Sequence, residues 1–215
     1  MAKRIVAPKE VQEFCAEYNL TTDQFYGREE YPGDLYLNSV TTLIPGFNPQ
    51  VGGDLYINSL TTLIPGFNPT VGWSLYINSV TTLIPGFNPK VGGGLYINSP
   101  QLVSLGDIST VKGTLSLIGC TSLRSLGSNL KSVGNLDLEG TPIYVIPEDL
   151  VIEDIVWLNG PDIYIPAEEA RWVLKDFKDS IKCNNDAGEI LFDRLNRPLW
   201  QVAYATDFLN GDIQV

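Results

Sequence analysis

The amino-acid sequence predicts a mainly β protein: a capped repeat solenoid of about seven 20-residue turns with a parallel strand ladder, an N-terminal helical cap and a C-terminal α+β cap. Self-similarity is the first reason. Gly33–Gly52 (GDLYLNSVTTLIPGFNPQVG), Gly53–Gly72 (GDLYINSLTTLIPGFNPTVG) and Trp73–Gly92 (WSLYINSVTTLIPGFNPKVG) repeat nearly the same 20 residues three times. The second reason is a weaker continuation. Leu95-Tyr96-Ile97, Leu115-Ser116-Leu117, Leu136-Asp137-Leu138 and Val156-Trp157-Leu158 reopen the motif at spacings of 20, 20, 21 and 20 residues. The third is the chemistry of the return path. Pro85 and Pro89 remove backbone donors, and Asn88 before Pro89 is held extended, so no helix fits on the back of the repeat.

The elements follow in chain order. Residues 1–32 read as the N-terminal helical cap. Pro8–Tyr18 predicts a short helix with Val11, Phe14, Cys15 and Tyr18 on one face, and Thr21 or Thr22 caps a further turn leading to Phe25 and Tyr26. Residues 33–165 read as the solenoid. In each unit a Leu and an Ile or Leu two positions apart share one face of a short strand, as Leu75 and Ile77 do. Val80, Leu83 and Phe87 continue the inward set, and Val51, Val71, Val91 and Val111 each stand four residues before a strand. One unit cannot bury its own apolar side. Stacking places Leu35, Leu55, Leu75, Leu95 and Leu115 in one column and seals a continuous core. Residues 166–215 read as the C-terminal α+β cap. Its helix starts at Pro166-Ala167-Glu168-Glu169 and carries Ala170, Val173, Leu174, Phe177 and Ile181 on its apolar face, with Lys175, Lys178 and Lys182 in the last turns. Two strands follow, Ile190–Asp193 and Leu199–Tyr204.

The Leu-x-Leu strand with its downstream Leu, Pro and Phe resembles the short leucine-rich repeats, whose strands line a concave sheet. Ile84-Pro85-Gly86-Phe87-Asn88-Pro89-Lys90-Val91-Gly92-Gly93 is similar to the 20-residue "LPxGFNPxVGG" units of bacteriophage and gut-bacterial leucine-rich-like repeat proteins. The leader Tyr18–Gly27 is similar to the segment that precedes those units. Thr114–Ile143 is similar to a related variety with Gly-Cys-Thr and Gly-Thr-Pro-Ile turns. The resemblance covers about residues 18–165. It implies the repeat fold and a viral or bacterial origin, and it implies no activity. The first four units depart from the commoner leucine-rich pattern. They are one residue shorter between strand and proline and lack the asparagine typical of that pattern's ladder, which leaves a two-faced β-solenoid as an alternative.

Composition narrows the function. Hydrophobic residues make up 44% of the 215 and charged residues 18%, enough for a real core. The net charge of −11 argues against binding nucleic acid through its phosphates. The acidity is local: residues 33–138 carry four acids and four bases, and residues 139–215 carry 15 acids and six bases. Cys15, Cys120 and Cys183 are odd in number and widely spaced, so they read as reduced, buried thiols. The N-terminus has no apolar core of a signal peptide, and no apolar run reaches 18 residues. The expected location is the cytoplasm of a bacterial host, or a virion.

No enzyme is expected. The absence of histidine excludes imidazole as base or ligand, and with it Ser-His-Asp and Cys-His sites. No phosphate-binding glycine motif occurs, and the adjacent pairs Glu148-Asp149 and Glu153-Asp154 point apart on a strand. No metal and no cofactor are expected. The informative surface is the outward side of the ladder. Tyr36, Tyr56, Tyr76 and Tyr96 form one column, continued by Ser116, Asp137 and Trp157, and Asn38, Asn58, Asn78 and Asn98 run beside it. These tyrosines and asparagines, with Trp157, are the candidate binding residues. The expected partner is a protein of unknown identity, with self-association, a virion or assembly role, or antagonism of a host protein as alternatives. No nucleic-acid or membrane partner is expected.

Overall fold

In the computed structural model the described residues are 7–143, 149–153, 155–157, 164–166, 180–183, 191–193 and 198–199, the last five stretches as backbone only past residue 153. Helices α1 (Lys9–Glu17) and α2 (Thr22–Phe25) open the chain. There follow β1 (Glu30–Tyr31), β2 (Leu35–Tyr36), β3 (Gln50–Val51), β4 (Leu55–Tyr56), β5 (Thr70–Val71), β6 (Leu75–Tyr76), β7 (Lys90–Val91) and β8 (Leu95–Tyr96). Longer strands come next, β9 (Thr110–Ser116) and β10 (Ser132–Asp137), then β11 (Val151–Ile152), β12 (Ile155–Trp157) and β13 (Tyr164–Pro166). β14 (Ser180–Cys183), β15 (Leu191–Asp193) and β16 (Pro198–Leu199) form a separate antiparallel sheet.

The chain is a β-solenoid. β2, β4, β6, β8, β9, β10 and β12 are seven parallel rungs, so about six turns separate the first from the last. At about 4.8 Å per rung the ladder rises some 30 Å. The register matches the periodicity: Leu35, Leu55, Leu75, Leu95, Leu115, Leu136 and Val156 pair in sequence. The columns Leu37/Ile57/Ile77/Ile97, Phe47/Phe67/Phe87 and Val51/Val71/Val91/Val111 are all buried. Each early unit turns at its Pro-Gly pair, where Phe47, Phe67 and Phe87 donate their N–H to the carbonyls of Ile44, Ile64 and Ile84. Gly46, Gly66 and Gly86 sit there at φ +87°, +81° and +80°, the left-handed position that follows proline in such a turn.

The two-faced alternative resolves into an intermediate geometry. Each early turn has two short strands rather than one, and the first set (β1, β3, β5, β7) forms its own parallel sheet. The two ladders do not oppose each other. They lie side by side along a glycine corner, and β9 and β10 run through both positions as single strands of seven and six residues. The corner is glycine because the coils touch there: a Cβ at Gly72 would lie 2.2 Å from the Gly52 carbonyl oxygen, and one at Gly92 would lie 2.1 Å from that of Gly72. Between Val133 and Asn135 the register shifts, two steps of β10 facing three of β9.

The N-terminal cap forms as the sequence predicts. Val11, Phe14 and Cys15 are buried on one side of α1, and Thr21 caps α2 in a reciprocal pair with Gln24. Phe14 and Phe25 meet Phe47 of the first turn at centroid distances of 5.3 and 5.2 Å, so the cap begins the phenylalanine column. The cap is not wholly helical: β1 supplies the first rung of the first ladder, pairing Tyr31 with Val51. At the other end one expectation is corrected, at Ile181 and Lys182. Pro166 ends β13, which folds back antiparallel on β12; an edge rung tolerates the missing proline N–H. Ile181 and Lys182 lie in β14 instead of a last helical turn, and β14 pairs with β15 with a register shift between Ser180 and Lys182. β15 and β16 form the hairpin expected near Ile190–Tyr204. The expected helix from Ala167 to Phe177 lies outside the described residues.

Candidate functional site

The tyrosine column assembles as the period requires. Tyr36 and Tyr56 stack with centroids 4.8 Å apart, Tyr56 and Tyr76 4.5 Å, and Tyr76 and Tyr96 4.6 Å, with the planes within 11° of parallel. Tyr36, at the open end, is 58% exposed, and the other three are half-buried. The column stops at Ser116, where the ring is replaced by a buried hydroxyl that donates to Asp137 Oδ2 at 3.3 Å. Trp157 occupies the last parallel rung, its backbone paired with Asp137; its side chain lies outside the described residues.

Asparagines run beside the rings as expected. Asn58 Nδ2 donates to Asn38 Oδ1 at 2.9 Å and Asn78 Nδ2 to Asn58 Oδ1 at 2.8 Å. The backbone N–H of Asn98 donates to Asn78 Oδ1 at 3.1 Å. The amides are spent largely on one another, which fixes their rotamers and the plane of the strip.

Two features were missed. The first is acidic support behind the rings. Tyr36 and Tyr56 donate their hydroxyl protons to Asp34 Oδ2 (3.2 Å) and Asp54 Oδ2 (3.0 Å). The other oxygens of these carboxylates accept the backbone N–H of the next turn, from Asp54 (2.9 Å) and Ser74 (2.7 Å). The signal was present: Asp34-Leu35-Tyr36 puts acid and phenol two apart, on one side of a strand. The bond to Asp54 raises the Tyr56 phenol far above its ordinary pKa, with burial adding to it, and the bond to Asp34 raises Tyr36 in the same way. Tyr76 is raised mainly by burial and then by Tyr96. Tyr36, Tyr56 and Tyr76 therefore remain protonated donors through the physiological range.

The second is another asparagine ladder on the return path. Asn48 Oδ1 accepts the N–H of Asn68 at 2.8 Å, Asn68 Oδ1 that of Asn88 at 2.6 Å, and Asn88 Oδ1 that of Ser109 at 3.1 Å. The Asn-Pro recurrence was its signal: a side-chain acceptor serves where proline interrupts backbone pairing. One exposed aromatic also stands out. Trp73 replaces glycine at the corner, between Gly53 and Gly93 in the stack, and is 68% exposed.

Among the described residues no group of three or more Cys, Asp or Glu could hold a metal ion, and no helix is long and apolar enough to cross a membrane. Cys15 and Cys120 are buried and unoxidised, with burial raising both thiols. The side chain of Cys183 lies outside the described residues. Comparison with protein-family models, with curated proteins and with solved structures finds no match to the chain.

Proposed function

We propose that the chain is a non-enzymatic protein-interaction module whose recognition surface is the tyrosine column Tyr36–Tyr96 with the Asn38–Asn98 ladder. The observation that carries this is the mutual stacking of four phenols at 4.5 to 4.8 Å on a regular ladder. Apart from the outer face of Tyr36, ring faces packed on one another cannot stack on a sugar. What remains for a partner is a flat strip of ring edges, hydroxyls and amides, already ordered before it is met. Tyrosine loses little side-chain entropy on binding, and a pre-ordered strip loses less still. A flat, hydrogen-bonding strip whose only charges are the Asp34 and Asp54 carboxylates at its hydroxyl edge suits the surface of another protein. Trp73 at the adjoining corner adds an exposed indole of the type that anchors interfaces.

The test is the paired change Tyr56→Ser and Tyr76→Ser in the full chain. Each lost stacked pair costs about 0.5–1.5 kcal/mol, so the array stays folded by circular dichroism. Cross-linked capture from bacterial lysate, compared with the unaltered chain, is expected to lose one or more defined proteins. Identical captured sets refute the reading.

A second reading is supported by the open end of the column. β2 has a single rung neighbour and Tyr36 one stacking partner, so an assembly or virion role through end-to-end contact has a surface to use. Mass photometry separates the two: a concentration-dependent oligomer abolished by Tyr36→Ser favours assembly, and a monomer at all concentrations removes it.

A further inference from the structure

We propose that the first ladder carries a binding groove for a phosphate or sulfate oxyanion, on a different surface from the tyrosine column and independent of whether that column binds anything. A groove of about 410 Å³ crosses three successive turns there, bordered by Thr70, Asn88, Lys90, Ser109, Thr110 and Lys112. Its origin is in the sequence. The position held by Gly52, Gly72 and Gly92 is bare in three turns, at Gly72 and Gly92 because the backbones approach too closely for a Cβ, and in the next turn it becomes Lys112. The neighbouring outward column, Gln50, Thr70, Lys90 and Thr110, places the second lysine beside that bare position. The result is a channel lined by Val71, Val91 and Gly92 with two lysines at its border.

The hydrogen-bonding character is one-sided. None of the lining residues is acidic. Ser109 Oγ accepts from Asn88 Nδ2 at 2.8 Å and keeps its own proton to donate. Thr110 Oγ1 accepts from Ser132 Oγ at 3.3 Å and likewise retains a donor. Among the described residues neither Lys90 nor Lys112 has a carboxylate within ion-pair distance, whereas Lys131 is paired with Asp149 at 2.6 Å. The four acids of residues 33–138 are engaged elsewhere. Asp34 and Asp54 hold the tyrosines, Asp107 accepts from the Gly86 N–H, and Asp137 accepts from Ser116. Two lysines and three hydroxyl donors with no local counter-charge suit a compact ligand rich in acceptor oxygens and carrying about two negative charges. The groove spans about 10 Å of the ladder, so the oxyanion belongs to a molecule longer than the free ion.

The full chain is to be titrated with inorganic phosphate and with sulfate at ionic strength held constant with chloride, and followed by heteronuclear NMR. Saturable shifts are expected at the amides of Thr70, Lys90, Thr110 and Lys112. The double variant Lys90→Gln and Lys112→Gln is expected to bind about tenfold more weakly with an unchanged fold, and Lys112→Arg to bind as the unaltered chain does. Preference for phosphate points to a phosphorylated ligand and preference for sulfate to a sulfated one. Shifts that never saturate, or equal saturation in the double variant, overturn the site. Tighter binding of a dicarboxylate such as glutarate overturns the oxyanion assignment in favour of an acidic peptide.

Discussion

Turns 33–92 and turns 110–153 build the same tube by different means. In the first region the strands are two residues long, and like side chains face one another along the principal columns: phenol on phenol, amide on amide, phenyl on phenyl. In the second, the strands are six and seven residues long, the outward column changes from ring to hydroxyl to carboxylate, and a register shift interrupts the pairing of the two strands. The difference teaches that a solenoid rung can be held by side-chain ladders where glycine cuts the strand short, or by backbone pairing where the strand runs on. Identity between repeats matters only to the first.

The largest expected effect is in the phenylalanine column. Phe67 is fully buried between Phe47 and Phe87, each 6.1 Å away. Phe67→Ala is expected to cost about 3–5 kcal/mol, and Leu130→Ala, at the matching position of the second region, about 2–5 kcal/mol. Urea unfolding measures both. A larger loss at Leu130 would show that the later turns, not the near-identical ones, dominate stability.

The corner provides a sharper contrast. Gly92→Ala forces a Cβ to 2.1 Å from a backbone oxygen, and the stack must open to admit it. A loss of about 1–3 kcal/mol is expected. Lys112→Ala, at the same position one turn on, already has its Cβ accommodated and is expected to change stability by less than about 0.5 kcal/mol. Equal losses at the two sites would mean that the glycine corner is no tighter than the merged strand.

The smallest effect is a gain. Burial raises the Asp137 carboxyl above the ordinary aspartate value of 3.8, although the Glu139 N–H and Ser116 oppose this. A raised folded pKa means that the stability tied to the protonated form is fully present below 3.8 and is lost as pH rises through the folded value. Asp137→Asn is therefore expected to raise the melting temperature slightly at pH 7, with the advantage vanishing as pH falls below the ordinary carboxylate range. A variant less stable at pH 7 would show that the charge is held favourably.

Much of this was legible in the sequence, for a physical reason. A period of 20 with Leu and Ile two apart dictates which side chains stack, so the columns from Leu35 to Val156 and the two stacked candidate ladders were readable from spacing alone. The α1 face and the Thr21 cap were readable because both are local. The split into two ladders was not, because it arises from the approach of Gly72 to Gly52, which no local propensity encodes. The exposure of Trp73 and the Lys90/Lys112 groove were hidden for the same reason: each depends on what the neighbouring coil lacks. The strand at Ser180–Cys183 overrode a helical spacing through a partner ten residues downstream.

The interchangeability of the first three units has a consequence for how the chain reaches its native state. Gly53–Gly72 can occupy the berth of Gly33–Gly52 with almost every neighbour satisfied, so during folding a whole loop can be skipped without an immediate penalty. The tally is enforced from outside, by the Phe14/Phe25 plug at one end and the unlike coils after Gly92 at the other. An in-frame loss or gain of one such unit would yield a shorter or longer rod with both plugs intact, so length in this molecule can vary without a new fold having to be found.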